Sequence, residues 1–174
     1  ASLESYLKGY NDPRIKSYFN LAQDGRDKEG NIIKEVAGVK QLNSIEGEYK
    51  GVRQGTGVAD NRYSTHSQTA ITTGSKIIVM SAAEVWFLRA EAALRNYTSE
   101  NVENCYKQGI TVSFAQWDAS GVSEYLENTN KPAAYVDAFD KKFDADAPTS
   151  ITPKWDESAP LELKLERIIT QKWL

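Results

Sequence analysis

The chain has one histidine, His66, and one cysteine, Cys105, so little nucleophilic or metal chemistry is open to it. A Ser-His-Asp or Cys-His arrangement would have to use His66. That residue sits in the polar stretch Ser64-Thr65-His66-Ser67-Gln68 and reads as a solvated loop histidine. Cys105 falls on the apolar side of a helical repeat, which predicts a buried, inert thiol. One cysteine also excludes a disulfide framework and a Cys-rich zinc site. The run Gly55-Thr56-Gly57-Val58-Ala59-Asp60 opens like a dinucleotide fingerprint, but it ends on Asp and follows no strand. Asp24 to Asn31 and Asp137 to Asp146 are rich in carboxylates, yet lysines are interleaved and EF-hand spacing is missing. Both read as turns. No spacing singles out a carboxylate pair for glycoside hydrolysis. These residues single out no catalytic group, metal or cofactor, although any Asp or Glu pair could still meet in space.

Aromatic residues are the remaining source of recognition chemistry. Tyr49, Tyr63, Tyr135, Phe139, Phe143 and Trp155 lie in aperiodic stretches. Flat rings on ordered loops can stack on sugar faces or form interface anchors, or they can pin the loops to a core. Trp155, between Pro153 and Pro160 in a polar segment, is the first ligand-binding candidate. Tyr63 is the second, with Asn61 and Arg62 beside it as hydrogen-bonding groups. Trp117 continues a helical repeat and is expected in the core.

Two helices must position these groups. Ser81 and Glu84 have capping-box spacing, and Ala82 to Arg95 contains neither Gly nor Pro. Ala83, Phe87, Ala90 and Leu94 make one face and Trp86 and Ala93 another, which predicts a helix buried on most sides. Val102, Tyr106, Ile110, Phe114 and Trp117 predict a second helix over 102–117. Gly109 costs about 1 kcal/mol of helix propensity, and close approach to the alanines of the preceding helix would offset it. A short connection makes the pair an antiparallel hairpin. A third helix is expected from Leu161, with Leu165, Ile168 and Ile169 on its apolar side, Pro160 in the first turn and Ser158 as N-cap. Residues 76–80 read as an extended lead-in, 123–128 as a short helix, and 129–157 as a long ordered loop.

Composition agrees with this outline. At 174 residues, 40% hydrophobic and 26% charged, the chain suits a single ordinary core. Its formal charge of -3 argues against a nucleic-acid binder or an anionic-membrane binder. The final helical repeat runs to Trp173-Leu174 without a stop signal, and the first residue is not Met. Residues 1–174 are therefore expected to be part of a single domain truncated at both ends.

Five stretches resemble the SusD/RagB family of outer-membrane nutrient-uptake lipoproteins of Bacteroidetes. They are Asp12-Pro13-Arg14-Ile15 with Tyr18-Phe19; Gly47-Glu48-Tyr49-Lys50-Gly51-Val52; Val79 through Ala92; Tyr106-Lys107-Gln108-Gly109-Ile110 with Ser113 and Trp117; and Leu165 through Trp173. The third and fifth are the specific ones. The resemblance implies a mainly α fold of tetratricopeptide-like helical hairpins with long irregular loops. It also implies binding rather than catalysis: capture of glycans or other nutrients on the extracellular face for a TonB-dependent, SusC-like transporter. Membrane attachment would be through a lipid anchor outside these residues. The family's scaffold motifs carry over no binding residue. The alternative is a tetratricopeptide-like protein-interaction module with no small-molecule ligand; a carbohydrate-active hydrolase is permitted but nothing favours it.

Overall fold

The computed structural model describes residues 2–55, 61–75 and 78–174, without the side chain of Asn61. The 55–60 glycine run lies largely outside the described residues, as does the start of the 76–80 lead-in. Among the described residues the fold is mainly α, with long irregular loops. In chain order the elements are α1 (Ser2–Gly9), α2 (Ile15–Tyr18), β1 (Glu35–Val36), β2 (Val39–Lys40), α3 (Ala82–Leu94), α4 (Val102–Gln116), α5 (Val122–Leu126) and α6 (Leu161–Trp173).

The hairpin forms where the sequence predicts it. Ser81 Oγ accepts the Glu84 amide at 3.0 Å and starts α3. Asn101 does the same for Asn104 at 2.8 Å and starts α4. Gly109 is a close-approach residue, because a Cβ there would lie 2.6 Å from Phe87 Cε1. The neighbour it admits is a phenyl edge rather than the expected alanine surface. Burial of α3 is also narrower than expected. Ala83, Phe87, Ala90 and Ala93 face inward, while Val85 and Leu88 are exposed and Trp86 is half-buried beneath the Arg89 guanidinium, 3.7 Å from its ring.

Helix α6 corrects a second expectation. Its buried side chains are Arg167, Ile168, Thr170 and Gln171, whereas Leu161, Ile169 and Trp173 are exposed. The inward face is polar because Gln171 meets a buried ion pair and Arg167 meets the Thr152 carbonyl of the 129–157 loop. Arg14 and Asp12 are fully buried, with Arg14 Nε 3.0 Å from Asp12 Oδ1. The same guanidinium donates to Ser113 Oγ of α4 at 2.7 Å and Gln171 Oε1 of α6 at 3.3 Å. Its carbon lies 4.9 Å above the Phe114 ring. Burial disfavours the charge on Arg14, but hydrogen bonding to Asp12 outweighs it and holds the guanidinium firmly protonated. Ser158 is not the α6 N-cap: Pro160 holds that position, and the Ser158 hydroxyl donates to Asp156.

The 129–157 loop is ordered because core groups satisfy its carbonyls. Tyr10 donates to Ile151 O at 2.8 Å, Tyr106 to Pro153 O at 2.6 Å, and Arg167 Nε to Thr152 O at 3.1 Å. Two apolar clusters result. The larger joins α3, α4, α5 and α6; the smaller gathers Ala22, Val36, Ile45, Ala138 and Phe139 beneath the loops.

Candidate binding site

The functional candidates do not come together. Trp155 is only 6% exposed and belongs to the larger core, its ring centroid 5.1 Å from that of Tyr106. Its indole N–H donates to Glu157 at 2.8 Å. The expectation of a free stacking ring is thus corrected: the flanking prolines fold the segment back on α4, and Trp155 covers it. Tyr63 packs against the smaller core, edge-on to His66 at 5.0 Å and to Phe139 at 5.6 Å, with its hydroxyl 3.5 Å from Asp137. Arg62 is half-buried next to it, and the Asn61 side chain lies outside the described residues.

His66 is 2% exposed, not solvated. Burial pushes its pKa down to about 4, and the Lys50 charge adds to this over the opposing pull of Asp137. Neither ring nitrogen has a hydrogen-bond partner among the described residues. In the suspect acidic clusters Asp27 and Asp137 cap turns, whereas Asp24 is buried and accepts from Gln41, Ser44 and Ile45. Asp137 Oδ1 accepts the Phe139 and Asp140 amides at 2.9 and 3.0 Å. Burial also pushes the Cys105 thiol up, with the nearby Glu100 carboxylate adding to it.

Two clefts lie where α1 meets the loop at residues 45–52, and both are organised by one ion pair. Glu4 Oε1 is 3.1 Å from Lys50 Nζ, and Glu4 Oε2 accepts the Gly51 amide at 2.9 Å. Lys50 also donates to Val136 O and lies 4.7 Å from the centre of the Tyr135 ring. Tyr135 in turn donates towards Gly51 O and Asp137 Oδ2, each at 3.0 Å. Three segments distant in sequence are therefore bolted at one point.

On one side of the bolt is a charged cleft of about 280 Å³, with Lys8 2.8 Å from Glu48 at its rim. On the other is a mostly apolar cleft of about 210 Å³. Leu3, Ile15, Phe19, Tyr49 and Val52 line the latter, with Ser67 among its few polar groups. Phe19 and Tyr49 are both half-buried there. An apolar cleft with partly exposed rings and a few convergent polar groups suits a small molecule with C–H faces. Glu4 and Lys50 were not legible as site residues, because their partners are set by folding. The Gly-Glu-Tyr-Lys-Gly run was the only local signal.

Among the described residues no helix is long and apolar enough to cross a membrane. No curated protein matches the chain. Solved structures do. A chitin-binding SusD homologue from Flavobacterium johnsoniae is 38% identical with a TM-score of 0.78, covering 99% of this chain and 33% of that one. A SusD homologue from Bacteroides vulgatus is 37% identical, TM-score 0.80, over 99% and 33%. Another, from Bacteroides thetaiotaomicron, is 31% identical, TM-score 0.82, over 99% and 34%. The chain thus spans about a third of the length of these relatives. The SusD-like family model, described as SusD and RagB outer membrane lipoprotein, matches residues 1–174, and the chain belongs to that family.

Proposed function

We propose that this chain is part of a surface protein that captures glycans or other nutrients and passes them to a TonB-dependent outer-membrane transporter. The match of the family model along the whole chain carries this reading, and the chitin-binding relative supports a glycan as ligand. Binding rather than turnover follows from the same reading. The protein would be anchored by lipid with its clefts on the extracellular face. Within this chain the Phe19–Tyr49 cleft is the ring-bearing surface offered to a sugar. Tyr63 and Arg62, with Asn61 beside them, form a second candidate contact on the loop layer.

The experiment is retention of the full chain on insoluble chitin and on a panel of plant glycans, with melting measured in parallel. Loss of a stacked ring in Tyr49→Ala should weaken retention by about 1–3 kcal/mol with the melting midpoint nearly unchanged. Tyr63→Ala tests the second contact, with retention read well below its own lowered midpoint because Tyr63 also packs on the smaller core. Trp155→Ala serves as the stability control, with an expected cost of about 3–5 kcal/mol. The reading fails if no glycan is retained, or if product accumulates during incubation. A protein-interaction module remains the rival because Val85 and Leu88 of α3, and Ile169 and Trp173 of α6, are exposed. It would show no retention on any glycan.

A further inference from the structure

A third cleft, which adjoins the charged cleft at Asn43 and Ser44, has a different chemistry. It has a volume of about 370 Å³ and lies beside the β1–β2 hairpin. That size falls within the range of ligand pockets, roughly 300–1,000 Å³. Ala37 and Gly38 both take positive φ, 49° and 74°, which closes a two-residue turn. The register pairs Glu35 with Lys40, and the Gln41 amide donates to Lys34 O at 2.7 Å. Lys34 and Gln41 are therefore opposite each other and share one face of the ribbon.

Gln41 is buried, and its orientation is determined by its partners. Its side-chain nitrogen donates to Asp24 Oδ1 at 2.6 Å and to Asn43 O at 2.7 Å. Both partners are acceptors, so the amide cannot be flipped. Its Oε1 is left buried with no partner among the described residues. Burial opposes ionisation of Asp24, but the Ile45 amide, the Ser44 hydroxyl and Gln41 together hold its carboxyl below the usual range. Asp24 thus already accepts three donors within the fold. At the rim, Lys34 and Lys40 are exposed and make no ion pair among the described residues. Ile33 and the exposed Leu42 supply an apolar wall.

We propose that this cleft is a subsite for an acidic saccharide residue. Lys34, on the Gln41 face of the ribbon, holds the carboxylate, and Lys40, on the opposite face, adds positive charge at the rim; a sugar hydroxyl seated against Gln41 supplies the missing donor, and ring C–H groups lie on Ile33 and Leu42. Asn43 lines the same cleft, and its side-chain amide, with no partner among the described residues, can bond a further hydroxyl. The assignment rests on the glycan reading above and adds the ligand's charge to it.

The test compares trigalacturonate with galactotriose, which differ in their carboxyl groups, by calorimetric titration of the full chain. Trigalacturonate should bind at least about tenfold more tightly at low ionic strength, and the preference should shrink as salt screens it. The Lys34→Ala/Lys40→Ala double variant changes two exposed side chains and should erase the preference while the melting temperature holds. Equal affinity for the two sugars overturns the acidic subsite and leaves the glycan reading intact. So does a preference that survives the double substitution or is insensitive to salt. If neither sugar binds and the chitin and plant-glycan panel also shows no retention, both readings fall.

Discussion

The helical block and the loop layer are each secured by a buried ion pair, but the two pairs have different work. In the helical block, Asp12 and Arg14 are two residues apart and wholly inaccessible, and the guanidinium reaches α4 and α6. In the loop layer, Glu4 and Lys50 are 46 residues apart, close to the surface and beside two clefts. A pair sealed within helices must be satisfied completely, since one unmatched charge there costs several kcal/mol. A pair next to clefts shares its load with a backbone amide and with Lys8, 3.6 Å from Glu4. The first arrangement makes a scaffold rigid, whereas the second holds a surface in place while leaving room for a ligand.

The sharpest way to break this contrast is Arg14→Ala. It strands Asp12 without its counter-charge and should cost about 3–5 kcal/mol, enough to take much of a domain's stability. Urea unfolding followed by far-UV circular dichroism would report it. A loss under 1 kcal/mol would mean that the buried pair does not secure the helices.

Acid should act on the other region. His66 has a folded pKa of about 4 against an ordinary 6.5, so its neutral form is favoured when the protein is folded. Stability from this group is complete above about 6.5 and drains as pH falls towards 4, because the unfolded chain takes up the proton first. The full loss is roughly 3 kcal/mol, taking 1.36 kcal/mol per unit. His66→Phe retains a ring against Phe139 and loses no hydrogen bond among the described residues, so it should flatten the pH dependence of the melting midpoint between 6.5 and 4. An unchanged pH profile in that variant would rule out His66 as its source.

Gly109→Leu probes the helical block more mildly. The new side chain collides with Phe87, and overpacking should cost about 1–3 kcal/mol. A differential scanning trace with an unmoved midpoint would refute the close approach of α3 and α4. The smallest effect belongs to Lys50→Met, which keeps an apolar stem over Tyr135 and leaves Glu4 with the Gly51 amide and Lys8. About 1–2 kcal/mol is expected, towards the low end for an unsatisfied buried group. Hydrogen exchange should show faster opening at Gly51 and Tyr135 with the helices unchanged. Uniform loss of protection across α3 and α4 would erase the distinction between the two regions.

Sequence alone determined the parts of the molecule whose stability is local. The α3–α4 hairpin was legible because its caps, its freedom from Gly and Pro in α3 and its apolar spacing act within a few residues. The burial of Cys105 was legible from the same spacing. Helix α1 was not, because its inward residues include Glu4 and Ser5, which become inward only once Lys50 and the loops arrive. The polar inner face of α6 was missed for the same reason: Arg167, Thr170 and Gln171 look like surface until the Thr152 carbonyl, Tyr6 and the Arg14 cluster are placed against them. Site prediction failed most plainly at Trp155 and His66. A loop residue's exposure depends on what the loop folds against, and periodicity carries no record of that. The clefts by α1 are products of tertiary packing, since each joins side chains whose separation in sequence says nothing about their distance in space; the cleft beside the β1–β2 hairpin is more local, joining residues 32–44 to Asp24.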